Sequence, residues 1–252
     1  MQRKDIPLDE RIIFALDVGS SEEAQDLVIK LESHIKFYKV GLQLFLADWF
    51  NIIDWITKRK LKVMADLKFF DVPETIKLAV RQLKDRRVTF ATVHGNDPIL
   101  RAAVDETREG VHGKNGLKIL AVTLLTSFGE EDMKEFFGQP IDIEEYVFYR
   151  AKRALEVGCD GVISSGLEAR RLRDDLGDSF LIVTPGIRPG ANVTIEEDDQ
   201  KRIVTAGQAI ANGADYVVVG RPIRNADDPI AMVELMQREI ERSLSNQFAR
   251  IP

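Results

Sequence analysis

Residues 65–73 read Ala65-Asp66-Leu67-Lys68-Phe69-Phe70-Asp71-Val72-Pro73, an apolar run that carries two carboxylates and an ammonium. Buried strands exclude such charges unless they are paired or put to use. Reading Val63 to Phe69 as a strand, period-two alternation sets Met64, Asp66 and Lys68 on one face and Val63, Ala65 and Leu67 on the other. Asp71 falls just past the strand and is placed as a helix N-cap, because Pro73 suits a first helical turn and Glu74 lies three residues on. Taken alone, D-x-K-x-x-D reads as a salt bridge plus a helix cap, so the neighbouring strands must decide whether it does more.

Upstream, RIIFALDV (11–18) reads as a strand that puts Ile13, Ala15 and Asp17 on one face, and Ser20 with Glu23 forms a capping-box start for a helix reaching about Ser33. FYKVG (37–41) is a second strand with Phe37, Lys39 and Gly41 on one face, followed by a helix through Ile56. Downstream of the opening stretch, PETIKLAVRQLK places Ile76, Val80 and Leu83 on one helical stripe. Further strands are expected at Thr89–Gly95, Lys118–Thr126, Gly161–Ser165, Phe180–Thr184 and Tyr216–Val219, with helices opening at Asp97-Pro98 and Asp228-Pro229 and a short extra helix within 129–138. Strand starts at 11, 37, 62, 89 and 118 are separated by 26, 25, 27 and 29 residues, the cadence of successive βα units. Eight such units predict an α/β fold, a (β/α)8 TIM barrel occupying residues 1–252 as a single domain. A doubly wound open sheet is the alternative, but no G-x-G-x-x-G follows the first strand.

With 252 residues, 44% hydrophobic and 30% charged, the chain can bury one large core and is neither disordered nor collagen-like. A net charge of -6 argues against a general nucleic-acid partner. No apolar h-region or long apolar window is seen, so no membrane partner and a cytoplasmic location are expected. The single Cys159 cannot form an internal disulfide, and His34, His94 and His112 lack metal-ligand spacing, so no metal and no cofactor are expected.

Active sites of such barrels lie at the carboxyl ends of the strands, where Asp17, Lys39, Asp66 and Lys68 all fall. Two acids and two bases on three consecutive strands are more than isolated structural pairs require. The loops after strands seven and eight read TPGIRPG and VVVGRPI. Barrels commonly hold phosphate there, with Gly186 and Gly220 admitting close backbone approach and Arg188 and Arg221 able to grip phosphate oxygens.

Together FALDV, YKVG, ADLKFFDVPET, TLLTS, TPGIRPG, DDQKR and VVVGRPI resemble the orotidine monophosphate decarboxylase family almost end to end. The resemblance implies decarboxylation of orotidine monophosphate to uridine monophosphate, with Lys39, Asp66, Lys68 and Asp71 as an alternating charged array and Lys68 as the proton donor. It further implies ribose contacts from Asp17 and Thr75, a pyrimidine contact from Thr126, and phosphate and closing-loop contacts from Arg188, Gln200, Gly220 and Arg221. A homodimer is implied, Asp71 and Thr75 reaching across its interface. The chain departs from the family pattern at Phe70, where histidine is common, at Glu74, where asparagine is common, at HGND (94–97), and in a longer stretch from Arg188 to Gln200. Two other readings remain open at this stage. One is a metal-dependent sugar-phosphate decarboxylase, which would need an acid where Lys39 stands, and the other is a noncatalytic phosphate-binding barrel.

Overall fold

Eight parallel strands close on themselves in sequence order: β1 (Ile12–Ala15), β2 (Phe37–Gly41), β3 (Lys62–Phe69), β4 (Phe90–Val93), β5 (Lys118–Val122), β6 (Gly161–Ile163), β7 (Leu181–Thr184) and β8 (Tyr216–Val219). The ring is sealed by β1 pairing with both β2 and β8, which rules out the open sheet. The computed structural model describes residues 4–109, 116–190 and 202–248.

Strand alternation divides the core in two. Ile12, Phe14 and Leu16 turn outward to an apolar layer shared with the helices, whereas Ile13 and Ala15 turn into the barrel beside Phe37, Met64, Phe90, Leu120, Val183 and Tyr216. Three of the interior rings, Phe37, Phe90 and Tyr216, meet at centroid distances of 4.9, 5.8 and 5.2 Å. Burying each ring contributes about 1.5–3 kcal/mol. They form an apolar floor at the amino-terminal half of the barrel and leave the carboxyl end free for charged residues.

Local signals place the helices. Ser20 caps the helix Ser21–Leu31, its hydroxyl accepting from the Glu23 amide at 3.2 Å, and Asp142 caps Ile143–Val157 in the same manner. The extra helix after β5 spans Glu130–Phe137. Among the described residues no helix is long and apolar enough to cross a membrane.

Several boundaries differ from the sequence reading. Arg11 ends a short helix, Leu8–Arg11, so the first strand opens one residue later. The helix expected through Ile56 is two, Leu42–Asp48 and Asn51–Lys58, broken at Trp49 with φ of 51°. Strands β4, β5 and β6 end two to four residues early; after β5 the sequence Thr123-Leu124-Leu125 continues largely apolar into the rim once pairing has stopped, whereas β4 and β6 give way to His94-Gly95 and Ser164-Ser165. Asp71 is not the N-cap of Pro73–Lys84; that position is Val72, and the Asp71 carboxylate accepts the Val72 amide at 2.6 Å. An aspartate that takes its own neighbour's N–H closes a local turn and does not reach the amides of the first helical turn.

Candidate active site

The carboxyl rim opens into a cavity of about 630 Å3 lined from most of the strands. Of the expected site residues, Asp17, Lys39, Asp66, Lys68, Thr126, Arg188, Gly220 and Arg221 all line it. Register explains the convergence: Lys39 pairs with Ala15 on one side and Met64 on the other, and Gly41 stands opposite Asp66. A Cβ at Gly41 would lie 3.1 Å from Lys39 Nζ and 3.3 Å from Asp17 Oδ1, so the absent side chain makes room for the ion pair.

The charges form one chain of contacts. Lys39 Nζ donates to Asp17 Oδ1 at 2.8 Å and lies 3.5 Å from Asp66 Oδ2. Asp66 Oδ1 accepts from Lys68 Nζ at 2.9 Å and from Thr92 Oγ1 at 3.0 Å. Burial disfavours the Lys39 cation, but Asp66 and Asp17 overcome it and hold its pKa above the ordinary lysine value. Burial likewise works against the Asp66 carboxylate, and Lys39 and Lys68 overcome it, keeping the acid below the usual carboxylate range. Lys39 therefore stays cationic and Asp66 anionic at neutral pH.

Lys68 reaches this place by an irregular route. Its φ is 46°, a left-handed conformation uncommon outside glycine, and the β3–β4 register shifts between Ala65 and Phe69. The Thr92 hydroxyl receives the Lys68 amide at 2.9 Å and ties the bulge down. Strain fixed by a specific partner beside a charged cavity is a feature of functional sites.

The donor set does not suit a divalent cation. The Lys39 ammonium contacts both Asp17 and Asp66, the carboxylates such an ion would need, and would repel it. No group of three or more His, Cys, Asp or Glu side chains able to hold a metal is found among the described residues.

Further round the rim, Gly186 has φ of 76° and precedes Arg188, while Gly220, where a Cβ would lie 3.5 Å from Asp17 Oδ2, leads from β8 into the short helix Arg221–Arg224. The backbone is fixed there by Arg188 N donating to Val204 O at 2.9 Å. Two guanidinium groups and two glycine turns thus line the same cavity as the acid-and-ammonium array, an arrangement that can hold an anion and manage charge within one site.

A family model described as "Orotidine 5'-phosphate decarboxylase / HUMPS family" matches residues 10–236. The chain belongs to this family. A relative named orotidine 5'-phosphate decarboxylase from Methylococcus capsulatus is 50% identical over 241 residues, covering 95% of this chain and 96% of that protein. Another of that name, from Stenotrophomonas maltophilia, is 42% identical over 250 residues, 97% of this chain and 99% of the relative. The crystal structure of an orotidine 5'-phosphate decarboxylase from Lactobacillus acidophilus superposes with a TM-score of 0.79 at 34% identity, covering 92% of this chain and 99% of that one. An uncharacterized conserved protein from Geobacillus kaustophilus gives 0.77 at 29% identity, with 91% and 99% covered.

Not every expected site residue of this member of the orotidine 5'-phosphate decarboxylase / HUMPS family falls in the cavity. Asp71 and Thr75 are exposed and do not line the cavity of their own barrel. Gln200 lies outside the described residues. Two of the departures touch: Phe70 packs edge-on against His94, centroids 5.7 Å apart. Burial, with Arg150 and Lys68 nearby, lowers the His94 pKa and favours its neutral form. Sequence reading missed Gln43, Ser127 and Arg224, which also line the cavity, and Thr92, which orders it. Thr92 carried a usable signal, a hydroxyl in the middle of the apolar strand TFATV. Cys159 is buried and unpaired, its thiol pushed up to about 12 by burial, and stays a core filler.

Proposed function

We propose that this protein decarboxylates orotidine 5'-phosphate to uridine 5'-phosphate without a metal ion, with Lys68 delivering the proton. The reading rests on the alternating array: Lys39 held between two acids where a metal-dependent relative would need a ligand, and Lys68 held at Asp66 facing the cavity. The bond between the pyrimidine ring and its carboxylate breaks, carbon dioxide leaves, and the electron pair stays on the ring carbon. A proton from the Lys68 ammonium then takes that pair. So slow a reaction requires roughly 20 kcal/mol of rate enhancement, whereas one charge pair at 4 Å contributes about 4 kcal/mol at an effective dielectric of 20. The array therefore acts together with binding of the rest of the nucleotide.

Asp17 and Thr75 hold the ribose, Thr126 reads the pyrimidine edge, and Arg188, Gly220 and Arg221, with Gln200, take the phosphate. The protein works as a homodimer in the cytoplasm, Asp71 and Thr75 entering the partner's cavity. The placement of Asp71 and Thr75 away from their own cavity supports this, as does the exposure of Phe70 and Val72 beside them, 70% and 62%, an apolar pair suited to a second copy.

Lys68→Ala tests the proposal. Turnover followed by ultraviolet absorbance should fall by at least about three orders of magnitude, the usual scale of a lost proton-transfer group and its charge, while uridine 5'-phosphate still binds. A variant turning over within tenfold of wild type contradicts the role of Lys68.

A further inference from the structure

We propose that Glu168 and Arg202, neither of which lines the cavity, are a positioning pair that holds the phosphate-facing loop after β7 in register with the rest of the rim. The inference rests on the phosphate reading above and extends it to two residues outside the cavity. Both are buried, 6% and 8% exposed. A buried ion pair is weak evidence for stability, because desolvation offsets its attraction. Among the described residues Arg202 Nε is moreover buried without a hydrogen-bond partner, an arrangement poorly suited to a purely stabilising contact.

The pair joins three loops. Arg202 Nη1 donates to Glu168 Oε1 at 2.5 Å and Nη2 to the Leu125 carbonyl at 3.1 Å. The Ser165 hydroxyl donates to the other oxygen of Glu168 and accepts the Leu167 amide at 3.2 Å. On the β5 and β6 side these groups are already fixed, since Thr123 Oγ1 donates to Ile163 O at 2.8 Å and Phe128 N to Leu125 O at 3.0 Å. Arg202 is the member that depends on the pair.

Two residues further on, Val204 bridges Ile187, with Arg188 N donating to Val204 O at 2.9 Å and Val204 N to Gly186 O at 3.3 Å. Two extended residues span at most about 7 Å, so the Arg202 guanidinium anchors the chain close to the bonds that place Arg188. The fit is tight on the far side too, where a Cβ at Gly166 would stand 2.3 Å from Val204 Cγ2. Releasing Arg202 should shift Val204, and with it Gly186 and Arg188, while leaving Lys39, Asp66 and Lys68 on their own strands.

Glu168→Gln and Arg202→Lys, each in the full chain, separate this role from a structural one. Second-order rate constants are measured for orotidine 5'-phosphate and for orotidine, the same nucleoside without phosphate. We expect both variants to lose at least tenfold on the nucleotide and less than twofold on the nucleoside, whose turnover also reports that the variant is folded. Equal losses on both substrates, or none on either, overturn the proposal. Should Glu168→Gln fail to turn over the nucleoside, Arg202→Lys, which keeps a cation against Glu168, decides by the same ratio. A wild-type protein with no preference for the nucleotide overturns the phosphate reading and this proposal together; a wild-type preference that both variants keep overturns the proposal alone.

Discussion

Replacing Lys39 with methionine removes the ammonium that Asp17 and Asp66 share while keeping a side chain of similar length. At the 3.5 Å between Lys39 Nζ and Asp66 Oδ2, Coulomb's law gives roughly 5 kcal/mol at an effective dielectric of about 20. The variant is spared the desolvation of Lys39, but Asp66 keeps only Lys68 as a cationic partner, and breaking a buried pair from one side costs about 3–5 kcal/mol. The expected loss at neutral pH is therefore about 3–5 kcal/mol, or a fall in Tm on the order of 10 °C for a chain of this size. The sign with pH follows from the two shifts. The depressed Asp66 contributes stability that is present above the unfolded aspartate pKa of about 3.9 and is lost as pH falls through its folded value. The raised Lys39 contributes stability fully present below the unfolded lysine pKa of about 10.4 and lost as pH rises through its folded value. The gap between wild type and variant should thus be widest near neutrality and narrow at both extremes. Urea unfolding followed by circular dichroism across that range measures it. A variant as stable as wild type at neutral pH, or a gap that widens in acid, would refute the coupled array.

If Asp71 acts in the partner's cavity, Lys68→Ala and Asp71→Ala are each nearly inactive, and random equal mixing gives hybrids with one intact site, restoring about a quarter of wild-type activity by the symmetry count; no recovery in hybrids verified by mass rejects the shared site. Thr92→Val strands the part-buried Lys68 amide and removes a donor from Asp66, at a cost of about 1–3 kcal/mol. It should lower both stability and turnover, and unchanged values in unfolding and rate assays would show that the Lys68 bulge is held by something else.

The barrel was legible because alternation and βα cadence are local properties: β2 and β8 begin and end where FYKVG and YVVV predict. Strand ends were less so, since Thr123 to Leu125 remain apolar or buried after pairing stops. Lys68 was placed on the correct face by period two, yet its left-handed backbone depends on Thr92, 24 residues away, and no local pattern carries that. The Asp71 cap failed for a related reason, because its carboxylate satisfied the adjacent amide first. In the site, charges at strand ends announced themselves, whereas Glu168 and Arg202 did not. Their meaning lies in a contact between loops 34 residues apart, and each alone reads as a solvated surface charge.

Metal-free decarboxylation is tested most directly by following the absorbance of orotidine 5'-phosphate with protein that has been dialysed against a chelator and assayed in its presence. With Lys39 in contact with both acids that would bind an ion, the rate should equal that of untreated protein and should not rise when magnesium is added in excess. Activity that vanishes with the chelator and returns with magnesium would contradict the account and point to metal-dependent chemistry in the same cavity.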